Sequence, residues 1–199
     1  SECLVRSEMC IRDSLIARPV TQIYSTPEKS PITSWAYSIL GQIYVVLPLA
    51  LLGVWGYKSD YQLFMNTEYL LMALFVFVWT NDTGAYIVGC TLGKHRLFER
   101  ISPKKSWEGF FGGLAFCIIL ASLANYIIPG MLSTAQWIGM GILTSIFSTW
   151  GDLCESLLKR TAGVKDSGKI LPGHGGILDR FDSELIASPV IFIYLTFVL

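Results

Sequence analysis

Charged residues are scarce in this chain: Asp, Glu, Lys and Arg make up 15% of its 199 residues. Soluble domains carry about 25%. Hydrophobic residues reach 52%, which is too apolar for an ordinary soluble domain of this length. The composition therefore predicts a polytopic membrane protein.

Other features are missing as well. The five cysteines form no Cys-x-x-Cys pair, which argues against a zinc site and against a disulfide framework. Basic and acidic residues balance at 15 each, so net charge predicts no nucleic-acid partner. The first 30 residues lack the continuous apolar stretch of a signal peptide. Because the chain begins with Ser, we expect a fragment of a longer protein.

Apolar runs of about 20 residues, the length that crosses a bilayer, recur along the chain. They predict an all-α integral membrane protein with about five transmembrane helices, at 35–56, 69–90, 109–129, 136–158 and 183–199. Gly109, Gly112 and Gly113 would let a neighbouring helix approach the third span closely. We expect one membrane domain, 35–199, behind a polar cytoplasmic N-terminal segment, 1–34.

The basic residues fall on one side of this array. Two crossings separate the polar loops 91–108 and 159–182, so the loops share a face, and the N-terminal segment lies on that face too. Fourteen of the 15 basic residues belong to these segments, and only Lys58 falls opposite. The positive-inside rule makes the basic face cytoplasmic, in the cell's inner or plasma membrane.

Two aspartates lie at membrane depth. Asp82 is roughly 12 Å inside the second predicted span and Asp152 roughly 9 Å inside the fourth. Ionisable groups there usually face a partner or a water-filled cavity. Either these carboxylates pair with loop bases for structure alone, or they form a polar site open to the cytoplasm.

More acids accompany them. On the fourth helix Asp152, Glu155, Ser156 and Lys159 share one face. Asp179 and Asp182 would share a face in the same way if the fifth helix begins early. Hard carboxylate oxygens from three helices favour Mg²⁺, which completes its shell with water and substrate phosphate.

Groups that bind phosphate surround those acids. The glycines of "PGHGG", which include Gly175 and Gly176, could form an anion-binding nest, although a plain loop explains them equally well. His174 could bind phosphate or move a proton, whereas His95 has no comparable surroundings. The loop bases could neutralise a nucleotide or lipid phosphate, or could merely anchor lipid headgroups. They are Lys104, Lys105, Lys159, Arg160, Lys165, Lys169 and Arg180.

The run "SLLKRTAGVKDSGKILPGHGGILDRFD", 156–182, resembles the signature of the phosphatidate cytidylyltransferases, or CDP-diacylglycerol synthases. The stretch 81–109, "NDTGAYIVGCTLGKHRLFERISPKKSWEG", is similar to the second polar block of that family. "WGDLCESLLKR" fits the approach to the signature. The resemblance covers about 35–199, and the family usually has several more membrane helices ahead of this region.

The resemblance implies that CTP and phosphatidate react, with Mg²⁺, to give CDP-diacylglycerol and pyrophosphate. Asp82, Asp152 and Asp179 would bind metal and, with Lys159, form the catalytic set, while Asp182 and Asp166 are second metal candidates. The substrate-binding set is Lys104, Lys105, Ser156, Lys159, Arg160, Lys165, His174, Gly175, Gly176 and Arg180. Membrane lipids are partners, and a homodimer is plausible by resemblance alone.

Three alternatives stay open. A CDP-alcohol phosphotransferase would also handle CDP-linked lipids, but the tandem Asp-Gly and Ala-Arg motif of that family is absent. An ion or proton transporter would suit Asp82 and Asp152, although it leaves the glycines and basic loops unexplained. A catalytically inactive membrane fragment is the third.

Overall fold

The computed structural model describes residues 31–56, 67–161, 163–164 and 178–198. Helices dominate this part of the chain, which confirms the predicted all-α class. In order, the helical elements are α1 (Pro31–Gly41), a π-helical turn (Gln42–Val46), α2 (Leu47–Gly56), α3 (Thr67–Leu92), α4 (Trp107–Ile127), α5 (Thr134–Thr161) and α6 (Leu178–Val198). A short antiparallel hairpin that the sequence did not predict, β1 (Arg96–Phe98) and β2 (Ser102–Ser106), joins α3 to α4.

Three of the described helices are long and apolar enough to cross a membrane, over Glu68–Leu92, Trp107–Ile127 and Asp179–Val198. The protein is therefore a membrane protein. Helix α5, with 28 residues, spans about 42 Å but buries a polar face, which lowers its mean hydropathy. The first predicted span is a broken helix whose apolar part, Ile39–Gly53, is short. That all five cross the bilayer stays a prediction.

The last helix begins at Leu178, earlier than the predicted 183. Asp179 lies in its first turn, where a carboxylate interacts favourably with the positive end of the helix dipole. The early start puts Asp179 and Asp182 three residues apart on one helix, so their side chains lie on one face. Because the first turn of this helix is polar, the sequence pattern placed 178–182 in the preceding loop.

Glycines bring the helix backbones together. A Cβ on Gly113 of α4 would lie 2.7 Å from the carbonyl oxygen of Asn81 on α3, and one on Gly109 would lie 2.8 Å from that of Ala85. The predicted close approach at this helix is thereby confirmed. On the other side of the bundle, a Cβ on Gly151 of α5 would lie 2.6 Å from the carbonyl oxygen of Asp182 on α6.

Below the polar end, the bundle is held by an apolar core. Leu74 and Phe77 of α3, Trp137 and Met140 of α5 and Ile191 of α6 are all buried to within 1% of full burial. Such close packing is the main source of cohesion between membrane helices, because lipid tails are as apolar as the side chains themselves.

A buried polar cluster lies between the core and the polar end. Asn81 of α3, only 2% exposed, donates from Nδ2 to Ser148 Oγ (3.1 Å) and Thr149 Oγ1 (3.4 Å). Its Oδ1 accepts from Ser145 Oγ at 2.6 Å. These hydrogen bonds fix α3 against α5 at one rotation and one height, since an amide left unpaired at this depth is unfavourable.

Substituting Gly113 with Ala should lower the stability of the protein, by about 1–3 kcal/mol, because the new methyl group meets backbone that cannot move aside easily. Gly53→Ala is the matched control, since a Cβ there meets nothing within 4 Å. It should be neutral or raise stability by up to about 1 kcal/mol. Thermal unfolding of the purified protein in detergent measures both changes, and equal losses would contradict the described contact.

Candidate active site

A cavity of about 680 Å³ opens between α3, α4, α5 and the hairpin. Two carboxylates line it, Asp82 from α3 and Asp152 from α5, together with three bases. The bases are Arg96 of β1 and Lys104 and Lys105 of β2. The structure thus brings together four residues of the predicted site, and it adds Arg96, which the sequence had placed only among the cytoplasmic charges.

Asp152 is held from two sides. Lys105 Nζ lies 2.5 Å from its Oδ2, and Ser156 donates a hydrogen bond to its Oδ1 at 3.2 Å. Lys105 also donates to the carbonyl oxygen of Thr149 at 3.5 Å, so it reaches from the hairpin across to α5. The pairing of a membrane carboxylate with a loop base, one of the two interpretations of the sequence, is observed here inside a cavity.

A second ion-pair cluster joins α5 to α6. Lys159 Nζ donates to Glu155 Oε2 at 3.0 Å and to Asp179 Oδ1 at 2.9 Å. The Glu155 side chain is 1% exposed and that of Asp179 11%. Asp182 faces Glu155, and the two carboxyl groups interact with each other. Lys159, predicted to bind phosphate, is thus placed between two carboxylates.

Four of the five predicted metal ligands lie within the described residues, and they divide between these two places. Asp82 and Asp152 line the cavity, whereas Asp179 and Asp182 belong to the cluster around Lys159. Over the described ranges, no group of three or more His, Cys, Asp or Glu side chains is arranged to hold a metal ion. The two places are neighbours, since Asp82 interacts electrostatically with both Asp152 and Asp182.

Two other predicted site residues lie outside the cavity. Arg160 lies in the last turn of α5 and Arg180 in the first turn of α6, and both are exposed and do not line the cavity. The remaining predicted site residues lie outside the described residues. They are Lys165, Asp166, His174, Gly175 and Gly176.

Sequence reasoning left His95 unassigned, but it helps to position the hairpin. Its Nδ1 lies 2.6 Å from Glu108 Oε1. Glu108 also accepts from the backbone N–H groups of Lys94 and His95, and Trp107 N donates to the His95 carbonyl oxygen at 3.0 Å. These bonds fasten the base of the hairpin to the first turn of α4, and therefore set the position of the neighbouring Arg96.

Lys159→Ala should lower stability by about 3–5 kcal/mol, because it leaves Glu155 and Asp179 without their shared cation in a buried place. His95→Ala is the comparison, since its side chain is 79% exposed and exposed ion pairs contribute about 0–1 kcal/mol. Unfolding temperatures of the two variants in detergent provide the measurement. A loss at Lys159 no larger than at His95 would show that the cluster contributes little to stability.

The chain is similar to known proteins over most of its length. A family model described as "Cytidylyltransferase family" matches residues 5–198. Proteins named phosphatidate cytidylyltransferase from Staphylococcus aureus (strain COL) and Staphylococcus haemolyticus (strain JCSC1435) are each 41% identical over 80% of this chain. One from Staphylococcus epidermidis (strain ATCC 12228 / FDA PCI 1200) is 40% identical. The matched region is 61% of the length of each relative. The chain belongs to the cytidylyltransferase family.

Proposed function

We propose that this protein transfers a cytidylyl group from CTP to phosphatidate, giving CDP-diacylglycerol and pyrophosphate for phospholipid biosynthesis. One observation carries the proposal: a cavity bordered by two helices that are long and apolar enough to cross a membrane holds carboxylates and basic side chains together. A lipid and a nucleotide, both anionic, can meet only where water and bilayer both have access. Family membership and the names of the relatives support the same reaction.

The proposed chemistry is an in-line displacement. An oxygen of the phosphatidate phosphate forms a bond to the α-phosphorus of CTP. The bond from that phosphorus to the oxygen bridging the α- and β-phosphates breaks, and pyrophosphate leaves with the electron pair. Such a reaction depends on alignment of two anions and on compensation of their charge. Lys104 and Lys105, which line the cavity, supply positive charge, and Asp152 holds Lys105 in place.

The residues present fit the Mg²⁺ that this reaction requires. Mg²⁺ usually binds one or two protein carboxylates and fills its other positions with water and substrate phosphate. Asp82 and Asp152 offer two carboxylates in one cavity, so they are the residues that would hold it. When bound, the ion would neutralise phosphate charge and orient the reacting groups. Asp179, the third predicted ligand, and Asp182, a second candidate, lie in the neighbouring cluster around Lys159.

We place the cavity on the cytoplasmic face of the inner or plasma membrane. The support is the distribution of basic residues, since the hairpin that covers the cavity carries several of the 15 in the chain. CTP would reach the cavity from the water on that side. Association into a homodimer stays a prediction.

Asp152→Asn should reduce CDP-diacylglycerol formation by about 100-fold or more, because the neutral amide no longer complements the cations of the reacting complex. Asp179→Asn should do the same if the second cluster takes part in catalysis. The assay incubates membranes that contain the protein with labelled CTP, phosphatidate and Mg²⁺. It then measures a lipid-soluble cytidine product, with protein abundance checked by immunoblot.

Glu68→Gln is the matched control, because Glu68 is exposed in the first turn of α3 and lies about 21 Å along the helix from Asp82. It should retain wild-type turnover. Normal turnover in Asp152→Asn at equal abundance would refute the assignment of that residue. A wild-type protein that forms no product, but conducts ions in liposomes without nucleotide, would instead support the transporter alternative.

A further inference from the structure

The three bases in the cavity are not equivalent. Lys105 is paired with Asp152 at 2.5 Å. Arg96 and Lys104 line the same cavity, and neither forms a salt bridge with any residue that the structure describes. With Asp82 as the second carboxylate, the cavity carries three cations and two anions. The excess positive charge lies on the hairpin side and favours an anionic occupant.

Three uncharged polar side chains that line the cavity form hydrogen bonds within the protein. The amide of Asn81 bonds to hydroxyl groups of α5. Thr149 donates to the Ser145 carbonyl oxygen at 2.9 Å, and Ser106 Oγ accepts from Gly109 N at 3.2 Å. Recognition of a nucleobase edge needs free donors and acceptors of this kind. The groups that remain to bind a ligand are mainly charged, and positive charge suits a phosphate group better than cytosine.

One wall of the cavity is apolar. Tyr86 of α3, Leu97 of β1 and Phe110 of α4 contribute to it. Tyr86 is 72% exposed although it lies on a helix that is apolar enough to cross the membrane. An exposed tyrosine on such a helix is suited to contact acyl chains or the glycerol region of a lipid, because Tyr favours the boundary between apolar and polar layers.

The backbone that carries these cations is held in place by the hairpin. Arg96 is paired with Ser106 across the hairpin, and the base of the hairpin is fixed to α4 through Glu108. Little conformational entropy of the backbone is then lost when an anion binds, which favours affinity. A charged pair of hydrogen-bond donors above an apolar wall matches one molecule with a phosphate at one end and hydrocarbon at the other.

We propose that this cavity is the subsite for the lipid substrate, with Arg96 and Lys104 binding its terminal phosphate monoester and the wall of Tyr86, Leu97 and Phe110 receiving its apolar part. The assignment rests on the proposed cytidylyl transfer and goes beyond it, because it says which of two phosphate-bearing substrates the hairpin recognises.

The kinetic test compares Arg96→Ala and Lys104→Ala with Arg100→Ala. Arg100 is an exposed cation in the turn of the same hairpin and does not line the cavity. In mixed micelles, each cavity variant should raise the KM for phosphatidate by about tenfold or more, as expected when one hydrogen bond between charged groups is lost. The KM for CTP should change by less than about twofold, and Arg100→Ala should alter neither constant.

Three results would overturn the assignment. A rise in the KM for CTP alone would make the cavity the nucleotide subsite. Equal rises in both KM values would show that the bases bind both substrates, or that they contribute only to the electrostatic potential of the whole site. Unchanged constants in both cavity variants would show that Arg96 and Lys104 bind neither.

A binding measurement separates this inference from the proposed reaction. The protein in nanodiscs, without CTP, is offered dioleoyl phosphatidate, phosphatidylglycerol or phosphatidylcholine, and bound lipid is counted by native mass spectrometry. Preference for phosphatidate that is lost in the Arg96→Ala, Lys104→Ala double variant supports the subsite even if no CDP-diacylglycerol is ever formed. Equal retention of phosphatidylglycerol, which is anionic but has a phosphate diester, would contradict recognition of a monoester. Turnover by a wild-type protein without such preference would leave the reaction standing and remove the subsite.

Discussion

The polar end of this protein depends on one constraint: a charge withdrawn from water must have a partner. Lys105 reaches from the hairpin to Asp152 on α5, and Lys159 reaches from Glu155 on its own helix to Asp179 on α6. Lys105 thus joins the hairpin to α5, and Lys159 joins α5 to α6. Because the desolvation of a lone charge is so unfavourable, the pairs that position the site also help to hold its elements together.

Close contact between the helices forms an apolar core next to these ion pairs. Glycines allow α4 to approach α3 and α5 to approach α6, and the Asn81 cluster fixes α3 against α5 between core and cavity. The hairpin then covers the space where the helices separate. Apolar packing below and ion pairs above leave one layer, near the membrane surface, in which charged side chains still face open volume. Both substrates of the proposed reaction need such a layer.

Much of this could be predicted because the relevant signals are local. Hydropathy and helical periodicity predicted the long helices and the shared face of Asp152, Ser156 and Lys159. The depths of Asp82 and Asp152 in the membrane stay predictions. Pairing could not be predicted, since which base meets which carboxylate depends on how distant segments pack. The hairpin was missed because "RLF" and "SPKKS" are too short to show alternation. Arg96 was recognised as a cytoplasmic charge but not as part of the cavity for the same reason.

Adjacent positions on α3 have opposite tasks: Asn81 is buried against α5, and Asp82 lines the cavity. Successive residues of an α-helix are rotated by about 100°, so both tasks are met at only one rotational setting of the helix. A homologue could tolerate many substitutions along this helix, yet a single inserted or deleted residue between its apolar contacts and Asn81 would turn the amide and the carboxylate away together. Length variation in relatives of this protein should therefore accumulate in the connections between helices and be absent from the middle of α3.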